Sequence, residues 1–133
     1  MNDNFAVYIH IMDLLGTFVF AITGAFRAIK YEMDLVGVLA LSTIVGVGGG
    51  ITRDVLLGAT PPSALRSAEY FLTTCGAGIC VFFFARVIAP SWRKILYADA
   101  VGLALFAAIG AAKASAAGLG PLGIMFIAAI ASV

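Results

Sequence analysis

From Leu35 to Thr52 the chain carries no Asp, Glu, Lys or Arg. A helix needs about 20 mostly apolar residues to cross hydrocarbon, and few folds in water tolerate a run of this kind. The charged residues divide the rest of the sequence into similar runs, at about residues 7–29, 69–88 and 95–116. A fifth opens at Gly120-Pro121 and continues toward Val133. Of the 133 residues 62% are hydrophobic and 11% charged, against about 45–50% and 25% in soluble domains. The mean hydropathy is +1.09. Such a chain cannot cover itself with a solvated surface, so a soluble domain, a disordered tail and a secreted mini-protein are excluded. The net charge is +1 with no basic cluster, which argues against nucleic acid as a partner. A membrane barrel needs apolar and polar residues to alternate, whereas these runs are apolar on all faces. Helices remain: an all-α integral membrane protein, one membrane domain over residues 1–133, with the lipid bilayer as its surroundings. Met1 to Asn4 include an acid and no basic residue, unlike a cleavable leader. Arg27, Lys30, Arg86, Arg93 and Lys94 outnumber Arg66, Arg53 and Lys113 on the opposite side, so the positive-inside rule puts the N-terminus outside.

The sequence repeats itself. Asp13-Leu-Leu-Gly16-Thr-Phe-Val-Phe20-Ala21-Ile-Thr-Gly24-Ala25-Phe-Arg27-Ala28 aligns with Asp99-Ala-Val-Gly102-Leu-Ala-Leu-Phe106-Ala107-Ala-Ile-Gly110-Ala111-Ala-Lys113-Ala114 at a constant offset of 86 (99 − 13). Gly37 and Gly123 keep the same offset. An odd number of crossings separates the copies, so the second enters from the opposite face. Residues 5–90 form the first three-helix repeat, and 91–133 begin an inverted second repeat that is incomplete. The equivalents of Gly48-Gly49-Gly50 would fall beyond Val133, which suggests a piece of a longer protein. Inverted repeats with interrupted helices place solute sites near the membrane midplane.

Gly46, Gly48, Gly49 and Gly50 are the most specific feature. Each glycine costs a helix about 1 kcal/mol relative to Ala, so the second helix is expected to break here, with freed carbonyls available to a cation. The alternative is close helix packing or a kink. Arg53 and Asp54 follow at once, and charge inside a bilayer is costly. Neighbours on a helix diverge by about 100°, so their partners are expected on other helices; snorkelling of Arg53 to the interface is the alternative. Asp13, Thr17, Phe20, Gly24 and Arg27 form one helix stripe, repeated by Asp99, Leu103, Phe106, Gly110 and Lys113. Asp13, Arg27 and Asp99 suit helix-end charges that complement the helix dipole. Lys113, flanked by small residues, suits a pore or gating position as well as it suits snorkelling. His10, Tyr8, Tyr70, Trp92 and Tyr97 sit where interfacial anchors belong. Cys75 and Cys80 have no nearby His or carboxylate and suit packing thiols. One histidine leaves no hydrolase constellation and no metal site, so neither an enzyme nor a bound cofactor is expected.

Asp13-Leu-Leu-Gly16, Phe20-Ala21-x-x-Gly24-Ala25, Met33-Asp34-Leu-x-Gly37, Gly48-Gly49-Gly50-Ile-Thr-Arg53-Asp54-Val-Leu-Leu-Gly58, Pro61-Pro62 and the second-repeat Asp99 to Ala111 motif together resemble the bacterial trimeric intracellular cation channel-like family. Its domain is also catalogued as a glycine transporter. The resemblance covers nearly the whole chain. It implies two inverted three-helix repeats plus a seventh helix, kinked at glycines, in the cell inner membrane. It further implies a homotrimer with a potassium-permeable pore in each protomer, flanked by Gly48 to Gly50. Lys113 would lie where animal relatives carry a Lys-Glu-Val gate motif. Here Ala114 and Ser115 follow instead, which weakens a voltage-gating role.

The expected function is therefore a potassium-permeable monovalent cation channel, with Arg53, Asp54 and Lys113 shaping its field. A carrier for glycine or another small neutral amino acid is the alternative, and a non-transport membrane scaffold the third reading.

Overall fold

The computed structural model describes residues 2–88 and 92–132. It is helical throughout: α1 (Asp3–Lys30), α2 (Leu35–Leu56), a single turn α3 (Ser63–Arg66), α4 (Ala68–Ile88), α5 (Trp92–Ala116) and α6 (Pro121–Ser132). The apolar runs read from the sequence coincide with α1, α2, α4, α5 and α6. Four of these, all but α6, are long and apolar enough to cross a membrane. The expected close of the third span at Pro90 lies outside the described residues.

The ends of the helices follow local chemistry. Asp34 caps α2 by accepting a hydrogen bond from the Gly37 amide at 2.9 Å, which satisfies one of the free donors of the first turn. Three helices close on a residue in the left-handed region: Glu32 (φ 56°), Gly58 (φ 73°) and Gly118 (φ 80°). Each closure ties two amides back: Met33 N to Ala28 O at 3.0 Å, Ala59 N to Asp54 O at 2.9 Å and Leu119 N to Ala114 O at 3.2 Å are the outer bonds. Glycine takes that conformation freely and glutamate does not. Glu32 and Gly118 are equivalent at the offset of 86.

The bundle is built inside out relative to a soluble protein. Asp13, Thr17, Ser42, Arg53, Asp54 and Thr74 are buried, while Val36, Phe83, Val87 and Leu122 are each more than 70% exposed. Apolar surface outside and polar groups inside is the arrangement that hydrocarbon solvent favours.

α1 is the central helix, packed on α2, α4 and α5; α2 also meets α4 and α6, and α5 meets α6. Small residues set the approach. A Cβ on Gly16 would lie 3.0 Å from the Phe106 ring, and one on Gly102 would lie 2.7 Å from the Phe20 ring. The two rings stack at 5.0 Å and 7°. Residue numbers in both contacts sum to 122 (16 + 106 and 20 + 102), so α1 and α5 run antiparallel, and each contact maps onto the other at the offset of 86. The helix pairs repeat in the same way. A Cβ on Gly24 would meet Leu41 O and Val45 Cβ, both at 2.9 Å; one on Gly110 would meet Ile127 O at 3.2 Å and Ala131 Cβ at 2.9 Å. The packing of α1 on α2 thus recurs in α5 on α6, upside down.

The glycine break does not occur. α2 is continuous from Leu35 to Leu56. A Cβ on Gly46 would lie 2.8 Å from Thr74 Cγ2 and 3.1 Å from Thr17 O, and one on Gly49 would collide with Ala131 O. The missing side chains are what let α1, α4 and α6 approach α2. That contact offsets a helix propensity cost of about 1 kcal/mol per residue. Ser42 Oγ donates to Thr74 O at 2.8 Å and Thr43 Oγ1 lies 3.2 Å from Thr74 Oγ1, adding polar contacts between α2 and α4.

Candidate functional site: a buried ion network and an adjoining cavity

Arg53, fully buried on the last turns of α2, organises the first part of the site. Its Nη1 and Nη2 donate to Asp13 Oδ1 and Oδ2, both at 3.2 Å, a two-pronged contact from α2 to α1. Its Nε donates to Asp54 Oδ1 at 2.9 Å. Lys113 on α5 donates to the same Asp54 oxygen at 3.2 Å, and the Ser63 amide donates to Asp54 Oδ2 at 3.0 Å. Tyr70 on α4 donates to Asp13 Oδ2 at 2.8 Å. Two cations face two carboxylates, so the formal charge closes to zero and every long helix except α6 contributes. Guanidinium suits the centre because its planar fork serves two carboxylates at once.

Several expectations are corrected here. Arg53 does not snorkel. It does pair with its neighbour Asp54, because its long side chain folds back across the angle between adjacent positions. Asp13 and Asp99 are no helix-end charges: α1 starts at Asp3 and α5 at Trp92, which leaves both inside their helices, Asp13 only 3% exposed, whereas Arg27 does lie in the last turn of α1. Tyr70 is no interfacial anchor, being 2% exposed with its hydroxyl on Asp13. Nothing in the sequence spacing marked Tyr70 or the Ser63 amide as members of the network. His10 does stand at the surface, with Nε2 2.8 Å from Glu69 Oε2 and its ring edge-on to Tyr70 at 5.8 Å. Cys75 and Cys80 are free thiols, half-buried and exposed.

The second part of the site is an open cavity of about 810 Å³ between α1, α2, α5 and α6. Gly48 and Gly49 line one wall, Arg27 and Asp99 another. Nothing lies within 4 Å of where a Gly48 Cβ would be, so this glycine faces open space while Gly49 supports α6. Gly50 borders Arg53 and Phe106 and not the cavity. Asp99 and Arg27 are the equivalents of Asp13 and Lys113, so the acid and base of the ion network recur at the cavity. Three hydroxyls also line it, and each donates its proton to its own helix: Thr23 to Phe20 O, Thr52 to Gly48 O and Ser132 to Ala129 O, all at 2.9 Å. A hydroxyl committed as donor has only acceptor lone pairs left. A smaller cavity, about 240 Å³, lies at the other end among His10, Asp13, Tyr70 and Lys113. Around Arg53 itself, between the two, there is no room for a water molecule.

An inside-out bundle of antiparallel helix pairs, with a neutralised charge network at its centre, defines a multi-pass integral membrane protein with an inverted repeat. The chain belongs to the glycine transporter family, whose model matches residues 10–86. It is 41% identical to a UPF0126 membrane protein of Deinococcus radiodurans over 94% of this chain and 58% of that one. It is 37% identical to the UPF0126 inner membrane protein YadS of Escherichia coli K12 over 84% and 54%. The chain therefore spans little more than half the length of these relatives. Its fold matches the TRIC trimeric intracellular cation channel orthologue of Rhodobacter sphaeroides with a TM-score of 0.89 at 37% identity, over 94% of this chain and 64% of that one. A prokaryotic TRIC channel solved in 0.5 M KCl matches with a TM-score of 0.90 at 35% identity, over 96% and 66%.

Proposed function

We propose that this chain forms part of a potassium-permeable monovalent cation channel of the bacterial inner membrane, assembled as a homotrimer with one pathway per protomer. The observation that carries the reading is the orientation of the hydroxyls at the large cavity. Thr52, Ser132 and Thr23 all spend their protons on helix carbonyls, so the wall offers oxygen lone pairs, with the Asp99 carboxylate beside them. Arg27 lines the same cavity and balances the Asp99 charge, so it is the lone pairs, with no free hydroxyl proton among them, that favour a cation over an anion. Gly48 keeps the wall low, so an ion passes with part of its water. This replaces the expected coordination by carbonyls freed at a helix break, since α2 has no break. The ion network closes the pathway toward the smaller cavity, and Lys113, 22% exposed where Arg53 is fully buried, is the member free to move. The likeness to solved TRIC channels supports the channel reading. The positive-inside count in the sequence supports an N-terminus on the outer side.

The glycine transporter description of the family model favours a second reading, a carrier for a small amino acid. Bilayer recordings on the full-length protein separate the two. Unitary potassium currents are expected, with Thr52→Val lowering conductance and Asp99→Asn lowering cation-over-anion selectivity. Saturable glycine uptake without unitary currents would install the carrier, and neither activity would leave a scaffold.

A further inference from the structure

One end of the bundle, where α1 and α4 finish and α5 begins, concentrates positive charge around apolar clefts. A cleft of about 290 Å³ is walled by Phe18, Ile22, Phe84 and Ala98, with Lys94 from the first turn of α5. A second, about 370 Å³, is walled by Ile29, Ala85 and Trp92, with Lys30 from the last turn of α1. Phe26 and Ile95 line both, so the clefts share a wall. The Lys30 ammonium lies 4.6 Å from the Trp92 ring centroid, a cation held over an aromatic face. Arg86 and Arg93 are exposed at the same end. Glu32 and Asp34 lie in the turn between α1 and α2, Asp34 engaged with the Gly37 amide, and Asp99, next to Ala98 on α5, lines the large cavity.

The geometry points to a binding site for an anionic phospholipid: its acyl chains lie in the two clefts, on either side of the wall that Phe26 and Ile95 form, and the phosphate sits between Lys30 and Lys94. The two halves of the site select the occupant together. A free anion gains nothing from clefts walled by Phe and Ile, and a zwitterionic lipid leaves the cationic collar without a full counter-charge. Lysine stems lie along apolar surface while their heads reach the headgroup layer, and tryptophan prefers that depth. Basic pockets between spanning helices recognise acidic headgroups in the same way. None of the cleft residues belongs to the ion network or the large cavity.

The test is native mass spectrometry of the full-length protein with phosphatidylglycerol and phosphatidylcholine in equal amounts. Phosphatidylglycerol should be retained preferentially. The double variant Lys30→Gln/Lys94→Gln should reduce that preference at least about fivefold, with phosphatidylcholine binding unchanged. Ala98→Phe, which fills the first cleft and leaves the lysines, should reduce retention of both lipids. Equal retention of the two lipids by the unaltered protein would overturn the site, as would a preference that survives the double variant. Displacement by millimolar inorganic phosphate would show that the clefts contribute nothing. Retention of neither lipid would mean that a second copy of the chain covers the groove, and would overturn the proposal as well.

Discussion

At the scale of single residues, the network depends on its central guanidinium, Arg53, which alone reaches both carboxylates. Two carboxylates are buried against it, and removing the guanidinium leaves Asp13 uncompensated except by Tyr70. Breaking a buried pair from one side costs about 3–5 kcal/mol. Arg53→Met should therefore lower the thermal midpoint of the protein in detergent by many degrees, whereas Arg66→Met, at an exposed position, should leave it nearly unchanged. A melt of Arg53→Met equal to wild type would show the network to be energetically idle. Glu32 offers a stabilising change. It holds φ 56° at the close of α1, where its repeat equivalent is Gly118, and a left-handed non-glycine residue costs roughly 1–2 kcal/mol. Glu32→Gly should raise the thermal midpoint, and a fall would mean that the glutamate side chain contributes a contact outweighing that strain.

At the scale of helices, the spans were legible because hydrocarbon demands length and apolarity, and both can be counted along a sequence. The offset of 86 was equally legible, because the Asp, Gly and Phe positions that carry it are the ones that make the helix contacts. The role of the glycines was not. Propensity measured in isolated helices argues for a break, while the structure uses Gly46 and Gly49 for the helices that stand opposite them and leaves Gly48 facing open space, and neighbours across a bundle leave no trace in local sequence. The same reason hid Tyr70 and the pairing of Asp13 with Arg53, which join residues on different helices. Gly48 and Gly49 separate the two uses. Gly49→Ala pushes a methyl into the α6 backbone and should destabilise by about 1–3 kcal/mol. Gly48→Leu projects into the cavity and should reduce ion flux with folding and assembly intact. Undiminished flux in Gly48→Leu would count against a pathway along this wall.

At the scale of the molecule, the two cavities lie on either side of a region with no room for water, so a continuous pathway requires the ion network to rearrange. On the proposed channel reading Lys113 is the expected point of control: Asp54 retains Arg53 and the Ser63 amide without it, so the fold should tolerate its loss. Lys113→Ala should change open probability in single-channel records with little change in thermal stability, and identical records would reduce Lys113 to a structural tether. The crossing of α1 with α5 has a consequence for biogenesis. Gly16 on Phe106 and Phe20 on Gly102 form a joint that looks the same from above and from below, so it holds no information about which way up the protein stands. During insertion that choice falls to the cations clustered at one end, among them Lys30, Arg86, Arg93 and Lys94, and a version stripped of them would assemble the same joint facing either direction.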